Sequence, residues 1–528
     1  MGDDGTAGGR TGLLSRRTTR RALLAGTATV AVAGTAVAVV GVGELSGSGS
    51  KAASPGGGSA TSTQSAAATT APAVDPNAPI TDAKQRAAHL LRRAGFGGTL
   101  AQIEEFSKLS KEDAADRLLN YQSVDNSALD ALLKKANFDL KAGKPADMIR
   151  WWLTRMVYTA RPLEERMTLI WHGLLTSQIS KIGGQRAKLM ITQNELYRAK
   201  ALPKYDDLVK AVGKDPAMLL YLDNIDSTKT HPNENYARES MELFTLGIGN
   251  YTEEDVRQSA RAFTGWRLSK PGKGTDGKPD YANWEPTFMI SAKDHDDGSK
   301  TFLGQTGNWG GDDIVDIIMK QPAAGKFITT RLFTEFANYN PQPATIDRLV
   351  GVWNSSGHDI KAIVRAILVS DEFYSQASYR GFVRSPIEFV VNTMRGLEVI
   401  PGAGDRVISQ ATFQGMDQIP FEPPSVAGWP GGQSWLSSST FFARVNLLDQ
   451  FLLGGGKGKK TGAPAIPALK GAAPDEMVDR ALSIFVDNNI SDASRASILE
   501  YAKTLTDPSE QAAAVAYLVL ASPEYQLI

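Results

Sequence analysis

From His231 to Gly247 the chain reads His-Pro-Asn-Glu-Asn-Tyr-Ala-Arg-Glu-Ser-Met-Glu-Leu-Phe-Thr-Leu-Gly, a run dense in groups that move protons or hold a substrate. On a helical wheel Asn235, Arg238, Glu239 and Glu242 share one narrow arc, and Tyr236, Ala237, Met241, Leu243 and Phe244 fill the rest. A helix with so wide an apolar arc is largely buried, so its polar stripe faces solvent or an internal cleft. Arg238 and Glu242 stand four apart and can pair. That leaves Glu234 and Glu239 as acid–base candidates, with Asn235 and Arg238 positioning a substrate. Paired carboxylates are what hydrolysis of a glycosidic bond requires. The plainer alternative is a salt-bridge network at a helix start.

Three histidines add candidates. His172 follows Trp171 at the end of a helix that opens at Pro162, and it is either a third catalytic group or a hydrogen-bonded core residue. His231 precedes Pro232 and so sits in an extended entry to the next helix. His295-Asp296 falls at an expected hairpin tip, where turn geometry alone favours Asp and Gly. With Asp223-Asn224, the residues His231, His295 and Asp296 could form a metal site, but no pair has diagnostic spacing and the cofactor stays open. Trp429 and Trp435 stand on the glycine-rich stretch Gly428-Trp429-Pro430-Gly431-Gly432-Gln433-Ser434-Trp435. Exposed, they would be platforms for sugar rings; buried, they plug the core behind a loop. Ser437-Ser438-Ser439-Thr440 reads as a helix cap rather than a nucleophile, since no Gly-x-Ser-x-Gly elbow surrounds it. Phosphate-loop and dinucleotide fingerprints are absent.

Helices must position these groups. Apolar periodicity predicts them over 82–94, 146–158, 163–175, 185–199, 233–246, 252–264, 323–336, 360–369, 386–397, 440–453, 474–485 and 507–520. Strand signals are few: residues 287–290, a turn at Asp296-Asp297-Gly298, then 300–303 read as one short hairpin. No strand–helix alternation appears, which excludes a doubly wound sheet. The expected fold is mainly α: one large multi-helical domain with a small β-hairpin insertion, behind a disordered N-terminal tether. Val519-Leu520-Ala521-Ser522-Pro523-Glu524-Tyr525 echoes Ile367-Leu368-Val369-Ser370-Asp371-Glu372-Phe373, so the last residues are expected to dock rather than fray.

The 528 residues carry 57 basic and 57 acidic side chains and no cysteine. Five arginines and two aspartates precede Glu44, so the remainder holds 52 basic against 55 acidic residues, which argues against nucleic acid as a partner. Ser15-Arg16-Arg17-Thr18-Thr19-Arg20-Arg21 followed by an Ala/Val/Gly-rich stretch to Gly43 resembles a twin-arginine export signal. A single membrane anchor is the competing reading, so membrane contact is expected only through an uncleaved signal. Residues 44–79, rich in Ser, Gly, Ala, Thr and Pro, have too few large apolar side chains to offset ordering entropy and read as a linker. The folded part then spans 80–528. An exported chain without cysteine has no disulfides, and its stability must come from a large core.

Six blocks together resemble the bacterial family catalogued as "domain of unknown function 1800". They are His89-Leu90-Leu91-Arg92-Arg93-Ala94-Gly95-Phe96-Gly97, Glu165-Arg166-Met167-Thr168-Leu169-Ile170-Trp171-His172, the His231 run, His295-Asp296-Asp297-Gly298-Ser299-Lys300-Thr301-Phe302-Leu303-Gly304, Phe382-Val383-Arg384-Ser385-Pro386-Ile387-Glu388 and Pro423-Pro424-Ser425-Val426-Ala427-Gly428-Trp429-Pro430-Gly431-Gly432. The resemblance implies an exported protein, often encoded beside a second exported family similar to sulfatases. Relatives often read Trp-His-Asn-His-Phe where this chain has Trp171-His172-Gly173-Leu174-Leu175, so Leu174 stands where a second histidine ligand would be. Two functions remain. One is a hydrolase-like enzyme acting on extracellular polysaccharide, with Glu234 or Glu239 as acid–base group. The other is a non-catalytic binding or assembly partner of the sulfatase-like neighbour.

Overall fold

Helix starts follow the local chemistry of the chain. Asp82 caps Ala83–Arg93 by accepting the Gln85 N–H at 2.8 Å. Proline opens Pro145–Tyr158, Pro162–Leu174, Pro322–Phe336 and Pro386–Gly396, where its missing N–H costs nothing. Thr252 and Ser385 form reciprocal capping boxes with Asp255 and Glu388. The computed structural model describes residues 75–400, 402, 409–454 and 464–528, together with a short pairing of Ala31–Val32 with Thr35–Ala36. The rest of the segment expected to be an export signal, and of the expected linker up to residue 74, lies outside the described residues. The mainly helical expectation holds, with twenty-two α-helices among the described residues. None of them is long and apolar enough to cross a membrane.

Boundaries shift where the chain has other options. The expected 233–246 helix is Glu234–Glu242, closed by a turn in which Leu246 and Gly247 both donate to the Met241 carbonyl. The expected 440–453 helix is α only over Ser438–Leu448 and continues as a π-helical turn, Asp449–Leu453. The single hairpin is a correction. Phe288–Ile290 pairs with Trp266–Leu268, and Lys300–Phe302 pairs with Gln305–Gly307. Leu303 (φ 44°) and Gly304 (φ 78°) make a tight two-residue turn, which draws Lys300–Phe302 to its immediate neighbour. The Asp296-Asp297-Gly298 turn instead is held by Arg261.

Pro76–Ile528 folds around one core, in which Trp152, Trp171 and Trp353 are fully buried. The chain joins it from Pro76, whose carbonyl accepts the Ala377 N–H at 2.8 Å. The docked C-terminus matches expectation: Tyr525 is buried, and Phe382 and Ile528 exchange backbone hydrogen bonds. Buried ion networks lock the helices. Asp487 takes Arg92 at 2.6 Å, Arg380 at 3.1 Å and the Tyr379 hydroxyl at 3.0 Å. Glu165 binds Arg155 at 3.0 Å and Arg198 at 2.7 Å, and Arg166 meets Glu388. Each such carboxylate is worth little net against an apolar residue, but losing one partner strands a buried charge.

Candidate functional site

The Pro162–Leu174 helix carries His172 into the core. Rings of Trp152, Tyr197, Phe421 and Trp429 surround its imidazole, with centroids 5.3, 6.3, 5.6 and 5.5 Å away. Burial alone pushes its pKa down to about 3, so the ring is neutral at any ordinary pH. Its Nε2 has no hydrogen-bond partner. The chain leaves this helix through Thr176, which donates to the Val426 carbonyl at 2.6 Å and lies beside the Tyr221 hydroxyl. One threonine therefore ties the His172 helix to the Gly-Trp loop next to the end of the Pro216–Tyr221 helix.

Tyr221 feels the charge of two acids carried by different parts of the chain. Its pKa is raised by burial first and then by the charges of Glu422 and Glu239, while the Thr176 bond opposes the shift. Glu239 projects from Glu234–Glu242 and is half-buried. Among the described residues no cation lies within 4 Å of its carboxylate and no hydrogen bond reaches it, whereas its neighbours are engaged. Burial raises its pKa, Glu242 raises it further, and Arg238 works against both. Glu422 accepts the Ser180 N–H at 3.0 Å and has no cation within 4 Å. It follows Phe421, a fully buried phenylalanine held at φ 64°, a conformation costly for a bulky side chain. That strain aims Phe421 at His172 and Glu422 towards Ser180 and Tyr221.

The sequence candidates divide. His172 and Trp429 meet in ring contact, whereas Glu239 acts on Tyr221 through its charge and touches neither ring in any recorded contact among the described residues. Arg238 does not pair with Glu242, because both of its terminal nitrogens reach Glu253 of the next helix at 2.7 Å, with Glu234 behind at 3.8 Å. Glu242 accepts the Tyr251 hydroxyl at 2.6 Å instead. Glu234 is thus an exposed member of an ion network, and Asn235 is exposed beside it. Trp435 is buried, and its carbonyl takes Thr440 Oγ1 and Arg444 Nη2, so its indole plugs the core. Trp429 is half-buried. His231 is exposed, with Nδ1 on Thr230 Oγ1 at 3.1 Å. His295 donates to the Thr264 carbonyl at 2.8 Å, and Asp296 holds Arg261. Asp223 pairs with Lys181, and Asn224 donates to the Phe263 carbonyl. Among the described residues no three His, Asp or Glu side chains converge as metal ligands, so His231, His295 and Asp296 make a braced loop rather than a ligand set.

Sequence reasoning missed Tyr221, Thr176 and Glu422. Only Glu422 left a trace, as an acid wedged between Phe421 and Pro423-Pro424 just before the Gly-Trp block.

A family model described as "Protein of unknown function (DUF1800)" matches residues 89–527, and the chain belongs to that family. Nothing among curated proteins or solved structures matches the chain.

Proposed function

We propose that this DUF1800 protein is exported by the twin-arginine route and acts as a hydrolase on extracellular polysaccharide, with Glu239 as general acid and Glu422 as the second carboxylate. One observation carries the reading: Glu239 is half-buried, has no partner among the described residues and has its pKa raised by burial and Glu242, while the charge of Glu422 acts on the same tyrosine as its own. A carboxyl with a raised pKa holds its proton to higher pH and, while protonated, can give it to a leaving glycosidic oxygen, and an ionised partner can then activate water or attack the anomeric carbon. In this reading the Tyr221 hydroxyl, which feels the charge of both acids, donates to the oxygen that carries the developing charge. His172, neutral and behind Trp429, is a polar contact rather than a proton store at neutral pH. The test is release of reducing ends from a panel of polysaccharides. Glu239→Gln and Glu422→Gln should each lower the rate by about 10²–10⁴-fold, and Glu234→Gln should leave it nearly unchanged. A Glu239→Gln variant as active as the parent would sink the assignment.

A binding role beside a sulfatase-like exported protein is the second reading. What favours it is Ile248, 80 % exposed on the turn that closes the same segment, where an apolar side chain could anchor a partner. Co-purification with the sulfatase-like neighbour that is lost in Ile248→Asp would support it.

A further inference from the structure

We propose that Trp429 is a movable plug, and that the space it fills above His172 is a subsite for one sugar ring of the substrate. The choice of a sugar rests on the glycan reading above. Of the four rings around His172, those of Trp152, Tyr197 and Phe421 are completely buried, and only Trp429 reaches the surface. Trp429 is therefore the single aromatic wall through which His172 can be approached. Beneath it lies an imidazole whose Nε2 is buried without a partner. An unmet ring nitrogen costs folding free energy that a polar ligand group reaching it would recover.

The loop that bears the indole is held at few points. Gly428 (φ 82°) lies so close to the His172 helix that a Cβ there would overlap the Gly173 carbonyl oxygen. Thr176 Oγ1 on the Val426 carbonyl is the hydrogen bond beside it. Past these, Trp429-Pro430 is attached through ring contacts alone. A pyranose chair is about as broad as an indole and presents an apolar C–H face to an aromatic ring. With the indole swung out, a sugar's C–H face can lie against Trp152 and Phe421, and one hydroxyl can meet Nε2 as donor or acceptor according to the tautomer. The displaced Trp429 then offers its own face to the next sugar along the chain.

The test is acylation of histidines by diethyl pyrocarbonate in the full-length protein, read peptide by peptide. Exposed His231 serves as the internal standard. His172 should react far more slowly than His231 in the parent, and Trp429→Ala should speed it by about tenfold or more. Glucose or N-acetylglucosamine, at on the order of 10–100 mM because one ring makes few contacts, should slow it again and leave His231 unaffected. If free indole protects His172 in Trp429→Ala but no monosaccharide does, the space is ordinary packing and the proposal fails. It also fails if Trp429→Ala leaves His172 as unreactive as in the parent. Should the alanine variant misfold, Trp429→Phe opens a smaller gap and is judged by the same protection. Glu239→Gln added to Trp429→Ala separates the two readings, because it must keep sugar protection. Protection without turnover of any glycan rejects the hydrolase and leaves the subsite standing, whereas turnover without protection does the reverse.

Discussion

Glu239→Gln should make the protein more stable at neutral pH, and the gain should vanish in acid. The parent carboxylate is half-buried, finds no cation within 4 Å, and shares one helix face with Glu242 three residues on. A like-charge contact at that spacing costs roughly 0.2–0.5 kcal/mol. Partial burial adds a comparable amount once solvent screening is allowed for, so the penalty is about 0.5–1 kcal/mol. The sign follows from linkage. The folded pKa lies above the unfolded one, so between the two the unfolded chain releases a proton that the folded chain keeps. Stability therefore falls as pH rises through that window and stays lower above it. Below the ordinary glutamate pKa both states are protonated, and the carboxyl and the amide become equivalent.

For a folded unit of this length, unfolding entropy near the midpoint is on the order of 1 kcal/mol per degree. Calorimetry at pH 7.5 should therefore place the Gln variant about 0.5–1 °C above the parent, with the two coinciding near pH 4. A variant that melts lower than the parent at pH 7.5 would show that Glu239 makes a stabilising bond, and would remove the case for a functional carboxylate. An equal difference at both pH values would show that charge is not the cause.

Asp487→Asn keeps a side chain that tolerates φ 54° but strands Arg92 and Arg380, so it should cost about 3–5 kcal/mol in denaturant unfolding. Because the arginines offset burial and hold the Asp487 pKa down to about 2, its contribution is present above the ordinary aspartate value of 3.8 and is lost as pH falls towards 2. Asp215 behaves oppositely: burial lifts its pKa to about 7 against three N–H bonds, all of which land on Oδ1. Asp215→Asn keeps that acceptor, so it should unfold no more easily than the parent at pH 8 and should flatten the parent's loss of stability between pH 4 and 7. Replacing Arg16, Arg17, Arg20 and Arg21 by lysine should stop export, since an ammonium lacks the planar guanidinium fork; secretion at the parent level, measured by immunoblot of the medium, rejects the signal.

The helices were legible because their cause is local. Apolar spacing and caps such as Asp82, Thr252 and Ser385 act within a few residues, and the structure moves most boundaries by only one or two positions. Pairings were less legible, since they depend on which neighbour arrives first. Lys300–Phe302 closes on Gln305–Gly307 across a two-residue turn, and a distant strand cannot compete with so short a loop. The site shows the same limit at greater range. Glu422 stands 183 positions after Glu239, and only the fold lets the charges of both act on Tyr221.

Arg238 shows how one such contact rewrites the chemistry. Spacing alone assigned it to Glu242, four residues on in the same helix, and so left Glu234 and Glu239 equally free. In the folded protein Glu253 presents both oxygens to both terminal nitrogens, a bidentate geometry that the i,i+4 pairing does not match. Glu234 is drawn into the same network, and Tyr251 satisfies Glu242. Glu239 is the one carboxylate of that face left without a partner. Its isolation is a consequence of the next helix rather than of its own, which is why the stripe in the sequence marked the segment but did not mark the residue.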